Sequence, residues 1–363
     1  MTDSIQNVES YLEEVYGKPV SVIRVVELGG DGEETELKGF GYGKPYLIDF
    51  ILGGEERSAV LSSMRVQKGF GHDTFADRAA LMLWQNYAYE RLPRHARSLD
   101  VGYFTKSGKL KSAGDADEYF ILMELISGTE YFRDLNRIRD ADIFSRLDID
   151  RAVALSDYLV EIHSRKHDDP VLYHRRIREL IGSGECIMGL ADSYPEDFEY
   201  YSRDDLERME KECVKWRWKI RPNVKRLCVV HGDFHPWNIM FRNGIDFSVL
   251  DRSRGEYGEA ADDVSCMSLN YIFYSLQKHG RLQGNFKKLY DSFMQNYLDR
   301  TEDEYILSCI QPFYAFRALV VASPLWYPNL DPEVRIKLFN FIDNVLAGDR
   351  FDHKNVNQYF MRK

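Results

Sequence analysis

The chain of 363 residues has no apolar run approaching the roughly 20 residues that a membrane-spanning helix requires. It has no Cys-x-x-Cys pair. Its cysteines (Cys186, Cys213, Cys228, Cys266, Cys309) are odd in number and scattered, which argues against a disulfide framework and for reduced, packed thiols in a cytosol. The N-terminus carries Asp3, Glu9, Glu13 and Glu14 with no apolar segment, and so does not read as a signal peptide. Internal repeats, low-complexity tracts and long Pro/Ser linkers are also missing. Positive charge is in deficit: 48 Lys and Arg stand against 58 Asp and Glu, a net charge of −10. That balance argues against nucleic acid or an anionic membrane as the partner. It would suit a cationic small molecule, although most acidic surface only confers solubility. The expectation is a cytoplasmic protein, a monomer or weak homodimer, with a core of two or so domains.

The pattern along the chain changes once. A short amphipathic helix at 4–16 carries Ile5, Val8, Leu12 and Val15 on one face and ends at Gly17-Lys18-Pro19. Strands are expected at 20–28, 46–52 and 58–64, a helix at 74–91, and further strands at 99–105 and 119–126. From Asp142 onward the period turns helical, at 149–163, 173–190, 203–218 and 261–276, with more helices to the end. Strand-rich then helix-rich, joined near residue 126, divides the chain into 1–126 and 127–363.

The most informative stretch is His231-Gly232-Asp233-Phe234-His235-Pro236-Trp237-Asn238-Ile239, followed shortly by Leu250-Asp251. Apolar runs at 227–230 and 239–241 flank the loop, and Arg242-Asn243-Gly244 turns the chain, since Asn-Gly readily forms a tight hairpin. With Asn243-Gly244 as a two-residue turn, Arg242 faces Ile245 and Asn238 faces Val249. Asn238 and Asp251 then sit side by side at the open end of one hairpin. Phosphoryl transfer from ATP needs such a set: an Asp to accept the proton of a substrate hydroxyl, and an Asn and a second Asp to hold Mg2+ on the phosphates. Protein kinases write it as H-R-D-x-x-x-x-N followed by an Asp, and Asp233 precedes Asn238 by the same interval. A zinc-protease helix is excluded, because Gly232 stands where its Glu belongs and Pro236 interrupts any helix. A zinc cluster of His231, Asp233 and His235 would leave Asn238 and Asp251 unexplained.

His231-Gly232-Asp233-x-His235-x-x-Asn238 with the later Asp251 resembles the signature of aminoglycoside phosphotransferase-like kinases, a family that includes choline kinases. The segment 258–264 resembles the family's G-D-P-x-x-D-[LV], with Asp263 matching its chiefly structural Asp. The resemblance covers most of the chain by element order but is specific only over 231–264. It implies an α+β, bilobal protein-kinase-like fold: a small antiparallel-sheet N-terminal lobe that binds nucleotide, and a larger, mostly helical lobe for catalysis and acceptor binding. It implies ATP and Mg2+ as cofactors, Asp233 as catalytic residue with His235 bracing its loop, and Asn238 and Asp251 as metal ligands.

The same layout assigns other residues. Gly39, Gly41 and Gly43 lie between two strands, where a glycine-rich hairpin closes over phosphates; three glycines in a turn also have a purely conformational reason. The next strand should carry a Lys, and it does not. Arg65, sharing a face with Ser63, is the substitute, or else a strand-end charge. Asp77 and Glu90 are the available acidic partners, and neither lies where the family's Glu does. The strand 119–126 resembles the one leading to the family's hinge, which assigns Glu124, Leu125 and Ile126 to the adenine edge. Arg252 and Arg254 either clamp transferring charge or pair with Glu256 and Glu259. The expected function is transfer of the ATP γ-phosphate to a hydroxyl of a small molecule. The alternative, motivated by the missing Lys, is a catalytically impaired kinase-like binding protein.

Overall fold

The computed structural model describes residues 2–28, 43–89 and 91–362. It divides into two compact units, Met1–Met123 and Glu124–Lys363, each with a core of its own. The expected class, α+β with a small antiparallel sheet first and a mostly helical part after it, is the class observed.

In the first unit, α1 (Thr2–Tyr16) lays Val8 and Leu12 onto the sheet formed by β1 (Val20–Glu27), β2 (Gly43–Leu52) and β3 (Glu55–Met64). The order is β1-β2-β3, antiparallel throughout. Ile48, Phe50 and Leu52 alternate along β2 and form the core with Val20, as the two-residue period of a half-buried strand requires. Then follow α2 (Phe75–Tyr89) and the short pair β4 (Gly102–Phe104) and β5 (Leu110–Ser112). The helix α2 opens on a reciprocal cap, in which the Thr74 N–H donates to Asp77 Oδ2 (2.7 Å) and the Asp77 N–H to Thr74 Oγ1 (3.1 Å).

The expected strand at 119–126 does not form. Residues 113–127 are irregular, and Phe120, Leu122 and Leu125 are each more than 90% exposed. An unbroken apolar run has the composition of a strand buried on both faces, but composition supplies no ladder partner, and none of the described strands pairs with it. Glu124, Leu125 and Ile126 therefore lie in irregular backbone.

The second unit runs β6 (Thr129–Glu130), α3 (Tyr131–Ala141), α4 (Arg146–His163), α5 (Pro170–Gly182), α6 (Ile187–Asp192), α7 (Arg203–Ile220), β7 (Leu227–Val229), β8 (Ile239–Phe241), β9 (Phe247–Val249), β10 (Tyr257–Glu259), α8 (Ala261–His279), α9 (Gly284–Thr301), α10 (Gln311–Ala322) and α11 (Pro332–Leu346). The single helix expected at 173–190 is two, because Gly182-Ser183-Gly184 ends the first and Cys186 starts the second. The helix α8 is buried along almost its whole length. Its Tyr271 meets Tyr131 of α3, with hydroxyls 3.1 Å apart. Two small sheets are laid against the helices: β7 pairs with β10, and β8 lies between β6 and β9.

A buried ion network anchors the β7–β10 pair. Arg226 donates to Glu259 (2.7 Å) and to both oxygens of Asp303 (2.7 Å each), and the Tyr173 hydroxyl donates to Glu259 Oε2 (3.0 Å). The Glu259 side chain is fully buried, so removing its cation strands a charge in low dielectric. Arg226→Met is expected to cost about 3–5 kcal/mol, measurable as a lowered denaturation midpoint followed by tryptophan fluorescence.

Candidate active site

The site is built on one loop, residues 231–238, between β7 and β8. Its entry is held by Asp263, which sits at the start of α8 and is fully buried. The His231 N–H donates to Asp263 Oδ2 and the Gly232 N–H to Asp263 Oδ1, both at 2.7 Å. His163 Nε2 donates to the same Oδ2 (3.1 Å), which leaves His163 Nδ1 to accept from the Tyr297 hydroxyl (2.9 Å). Burial works to raise the Asp263 pKa, but the His163 hydrogen bond and the backbone donors outweigh it and hold the carboxyl below its ordinary value.

Gly232 makes the turn that this grip demands. Its φ is +87°, and a Cβ there would lie 3.0 Å from Arg254 Cβ, so a side chain is excluded by both conformation and space. Asp233 follows, half-buried. Its Oδ1 accepts from Arg317 Nη1 (2.6 Å) and its Oδ2 faces His235 Nε2 at 3.3 Å. The Trp237 N–H donates to His235 Nδ1 (3.2 Å), so the ring proton is on Nε2 and points at Asp233. Burial pushes the Asp233 pKa up. The His235 hydrogen bond and the charges of Arg317 and Arg254 more than reverse this, and the carboxyl stays far below its usual range.

Asn238 closes the loop. Its Nδ2 donates to the Asp233 carbonyl (3.2 Å), which turns its side-chain oxygen to other use. The hairpin register differs from the two-residue turn expected. Ile239 pairs with Val249 and Phe241 with Phe247, Arg242 N–H donates to the Asp246 carbonyl (2.8 Å), and Leu250 N–H to the Asn238 carbonyl (2.8 Å). The turn thus holds Asn243, Gly244 and Ile245, with Gly244 at φ +64° supplying the left-handed residue of a three-residue loop. An Arg242–Asp246 ion pair (2.6 Å) clamps it. Asn238 therefore faces Leu250 rather than Val249, and Asp251 is the next residue along. Asp251 is exposed at φ +53°, a strained conformation for a residue with a side chain. Among the described residues its carboxylate has no hydrogen bond or ion pair.

Other expectations change. Arg252 pairs with neither Glu256 nor Glu259 through their carboxylates. It donates to the carbonyls of Val230 (2.8 Å) and Glu256 (2.8 Å), because Glu259 is already taken by Arg226. Arg254 lies over the Phe316 ring (5.1 Å) and reaches Cys186 Sγ (3.5 Å). Arg65 follows the last residue of β3 and is exposed, outside the strand it was expected to share with Ser63. Gly43 opens β2; Gly39 and Gly41 lie outside the described residues, as does Glu90. Asp77 is used in the cap of α2. Among the described residues no three His, Cys, Asp or Glu side chains form a metal cluster, which leaves the zinc alternative without a donor set.

Arg317 and Asp262 were not singled out as site residues from sequence. Arg317 Nη2 donates to the Gly232 carbonyl (2.7 Å) and to Asp262 Oδ1 (2.6 Å). The available signal was one Arg in the otherwise apolar run 312–322. An open cavity of about 700 Å3, lined by Arg139, Phe273, Gln277, Trp326 and Tyr327 among others, is also present in this unit.

In chain order these parts are a small antiparallel sheet, a His-Gly-Asp loop, an Asn and an Asp on one hairpin, and a helical remainder. Comparison with curated protein sequences finds no match. Among solved structures, the chain resembles a glucosamine kinase in complex with glucosamine, ADP and inorganic phosphate at 15% identity and a TM-score of 0.39; the match spans 60% of this chain and only 61% of that one. An amicoumacin kinase in complex with AMP-PNP and Ca2+ matches at 14% identity over 85% and 88% of the two chains, with a TM-score of 0.39. A Plasmodium vivax ethanolamine kinase matches at 12% identity over 96% and 82%, with a TM-score of 0.35. The model of the phosphotransferase enzyme family matches residues 105–293, more than half of the sequence and the whole of the loop and hairpin described above. The chain belongs to that family.

Burial pushes the His231 imidazole below its ordinary value of 6.5, against the pull of Asp263, so the folded chain keeps it neutral. The unfolded imidazole protonates as the pH falls through about 6.5, and stability present above that pH is lost below it. His174, His279 and His353 shift in the same direction. Denaturation midpoints should therefore fall from pH 7 to pH 5, and the fall should be shallower in His231→Asn.

Proposed function

We propose that this phosphotransferase moves the γ-phosphoryl group of ATP to a hydroxyl of a small molecule, with Asp233 as the residue that receives the hydroxyl. The observation that carries this is the state of Asp233. Each of its oxygens has one donor, Arg317 on Oδ1 and His235 on Oδ2, so about two of its four lone-pair positions stay open to an incoming O–H. A carboxylate with its pKa this far depressed is a weak base. It orients the hydroxyl and takes its proton late, which suits a loose transition state with little early demand for deprotonation.

Asn238 and Asp251 fit a hard cation. One offers an amide oxygen, its nitrogen being engaged, and the other an unpartnered carboxylate at the same hairpin end. Mg2+ is commonly held by one or two such groups with the remaining positions filled by phosphates and water. When bound, Mg·ATP would supply the transferable group and neutralise its charge. For the rest of the nucleotide we retain Gly39, Gly41, Gly43 and Arg65 at the phosphates and Glu124, Leu125 and Ile126 at the adenine, with 1–126 as the nucleotide lobe and 127–363 as the acceptor lobe. The free cysteines, four of them buried, support a reducing, cytoplasmic setting, and no helix among the described residues is long and apolar enough to cross a membrane. We infer a monomer or weak dimer whose partner is the small-molecule acceptor.

The position of Arg65 past the end of β3 favours keeping a second reading, a kinase-like binding protein with impaired turnover. Thermal unfolding with ATP, with and without Mg2+, separates the two from a chain that ignores nucleotide. The shift should need both ligands and vanish in Asp251→Asn. Asp233→Asn should keep the shift and lose about 10²–10⁴-fold in turnover. Full turnover in Asp233→Asn would remove Asp233 from the reaction, and a shift with no turnover in the wild type would leave the binding protein.

A further inference from the structure

We propose that Arg317 is a positioning residue for phosphoryl transfer, which sets the rotation of the Asp233 carboxylate from outside the catalytic loop. The inference rests on the reading of Asp233 given above. Arg317 comes from α10, over 80 residues away in sequence, and is 6% exposed. Its guanidinium spends one arm on Asp233 Oδ1 (2.6 Å) and the other on the Gly232 carbonyl (2.7 Å) and Asp262 Oδ1 (2.6 Å), with its plane near the Phe316 ring (4.6 Å to the centroid).

The distribution of those bonds is what argues for positioning. Neutralising Asp262, whose side chain is 20% exposed, would need one arm only. The second arm goes to Asp233, a carboxylate of similar exposure (18%) on the neighbouring loop, and the carbonyl contact fixes the peptide just before it. Main chain and carboxylate of the same turn are thus locked by one rigid, planar group, a geometry that a lysine point charge cannot reproduce. His235 is on the same loop as Asp233 and moves with it, whereas Arg317 ties Asp233 to the packed helix α10. Arg317 has no hydrogen bond or ion pair with Asn238 or Asp251 among the described residues, so its loss should leave the nucleotide side of the site as it was.

The test is the double variant Arg317→Met/Asp262→Asn, which removes one charge of each sign, with Asp262→Asn as its control. Steady-state Mg·ATP consumption, alone and with acceptor alcohols, should show kcat reduced about 100-fold in the double variant, the scale of a 1 Å misplacement of a reacting group. KM for ATP should stay close to wild type, and the double variant should lose several-fold more kcat than Asp262→Asn alone. Arg317→Lys, which keeps the charge, should recover stability but not kcat; it decides the matter if the double variant does not fold. A double variant or an Arg317→Lys variant with wild-type kcat overturns the proposal. A wild-type chain that consumes no Mg·ATP under any condition would instead refute the phosphotransferase reading. The clamp is then judged by the crystal structure of the variant: a rotated Asp233 side chain supports it, and an unchanged rotamer overturns it.

Discussion

One buried carboxylate governs the loop 231–238. Asp263 has no exposed surface and takes two backbone N–H groups at 2.7 Å, one on each oxygen. Those donors belong to His231 and Gly232, the last residues before Asp233. A carboxylate in that position cannot be exchanged for a neutral group without leaving a donor unsatisfied in low dielectric. It also carries the loop onto α8, a helix buried along almost its whole length. The placement of Asp233 is therefore inherited from the core and does not depend on the loop's own stiffness.

Around that anchor the charges are graded by job. Asp263 is ionised and used up by structure. Asp262, its neighbour, is half-buried and pushed toward the neutral form by lost solvation, with Arg317 opposing that push. Asp233 is ionised, half-buried and retains acceptor capacity. Three carboxylates within the same few ångströms would repel one another if they were left bare. Arg317, His163 and His235 are interleaved among them, each holding a specific oxygen. Asp251, outside this group, is the one site carboxylate without a protein partner among the described residues, and it is held in a strained backbone conformation.

Much of this was legible in the linear chain, and the parts that were not share a cause. The helices at 203–218 and 261–276 and the strands at 20–28 and 239–241 follow from local apolar period, and they are present with small changes at their ends. The loop 231–238 and the short strands that flank it could be read because a motif within one contiguous segment is a local property. The hairpin slipped by one pairing because Asn-Gly supports turns of two and of three residues, and the Arg242–Asp246 ion pair favours the second. The strand at 119–126 failed because a strand is a relation between two segments, and hydrophobicity describes only one.

Arg317 marks the boundary most clearly. From sequence it is one arginine among aromatics, 84 residues from Asp233, and nothing local connects the two. The sequence by itself determined which groups are available: the Asp233, Asn238 and Asp251 set at its spacing, and the apolar period that builds α8 and α10. Only the tertiary structure decided which of those groups are free and which are consumed. Pairing between buried charges is settled by which helices pack side by side, and that is a property of the folded core rather than of any segment within it.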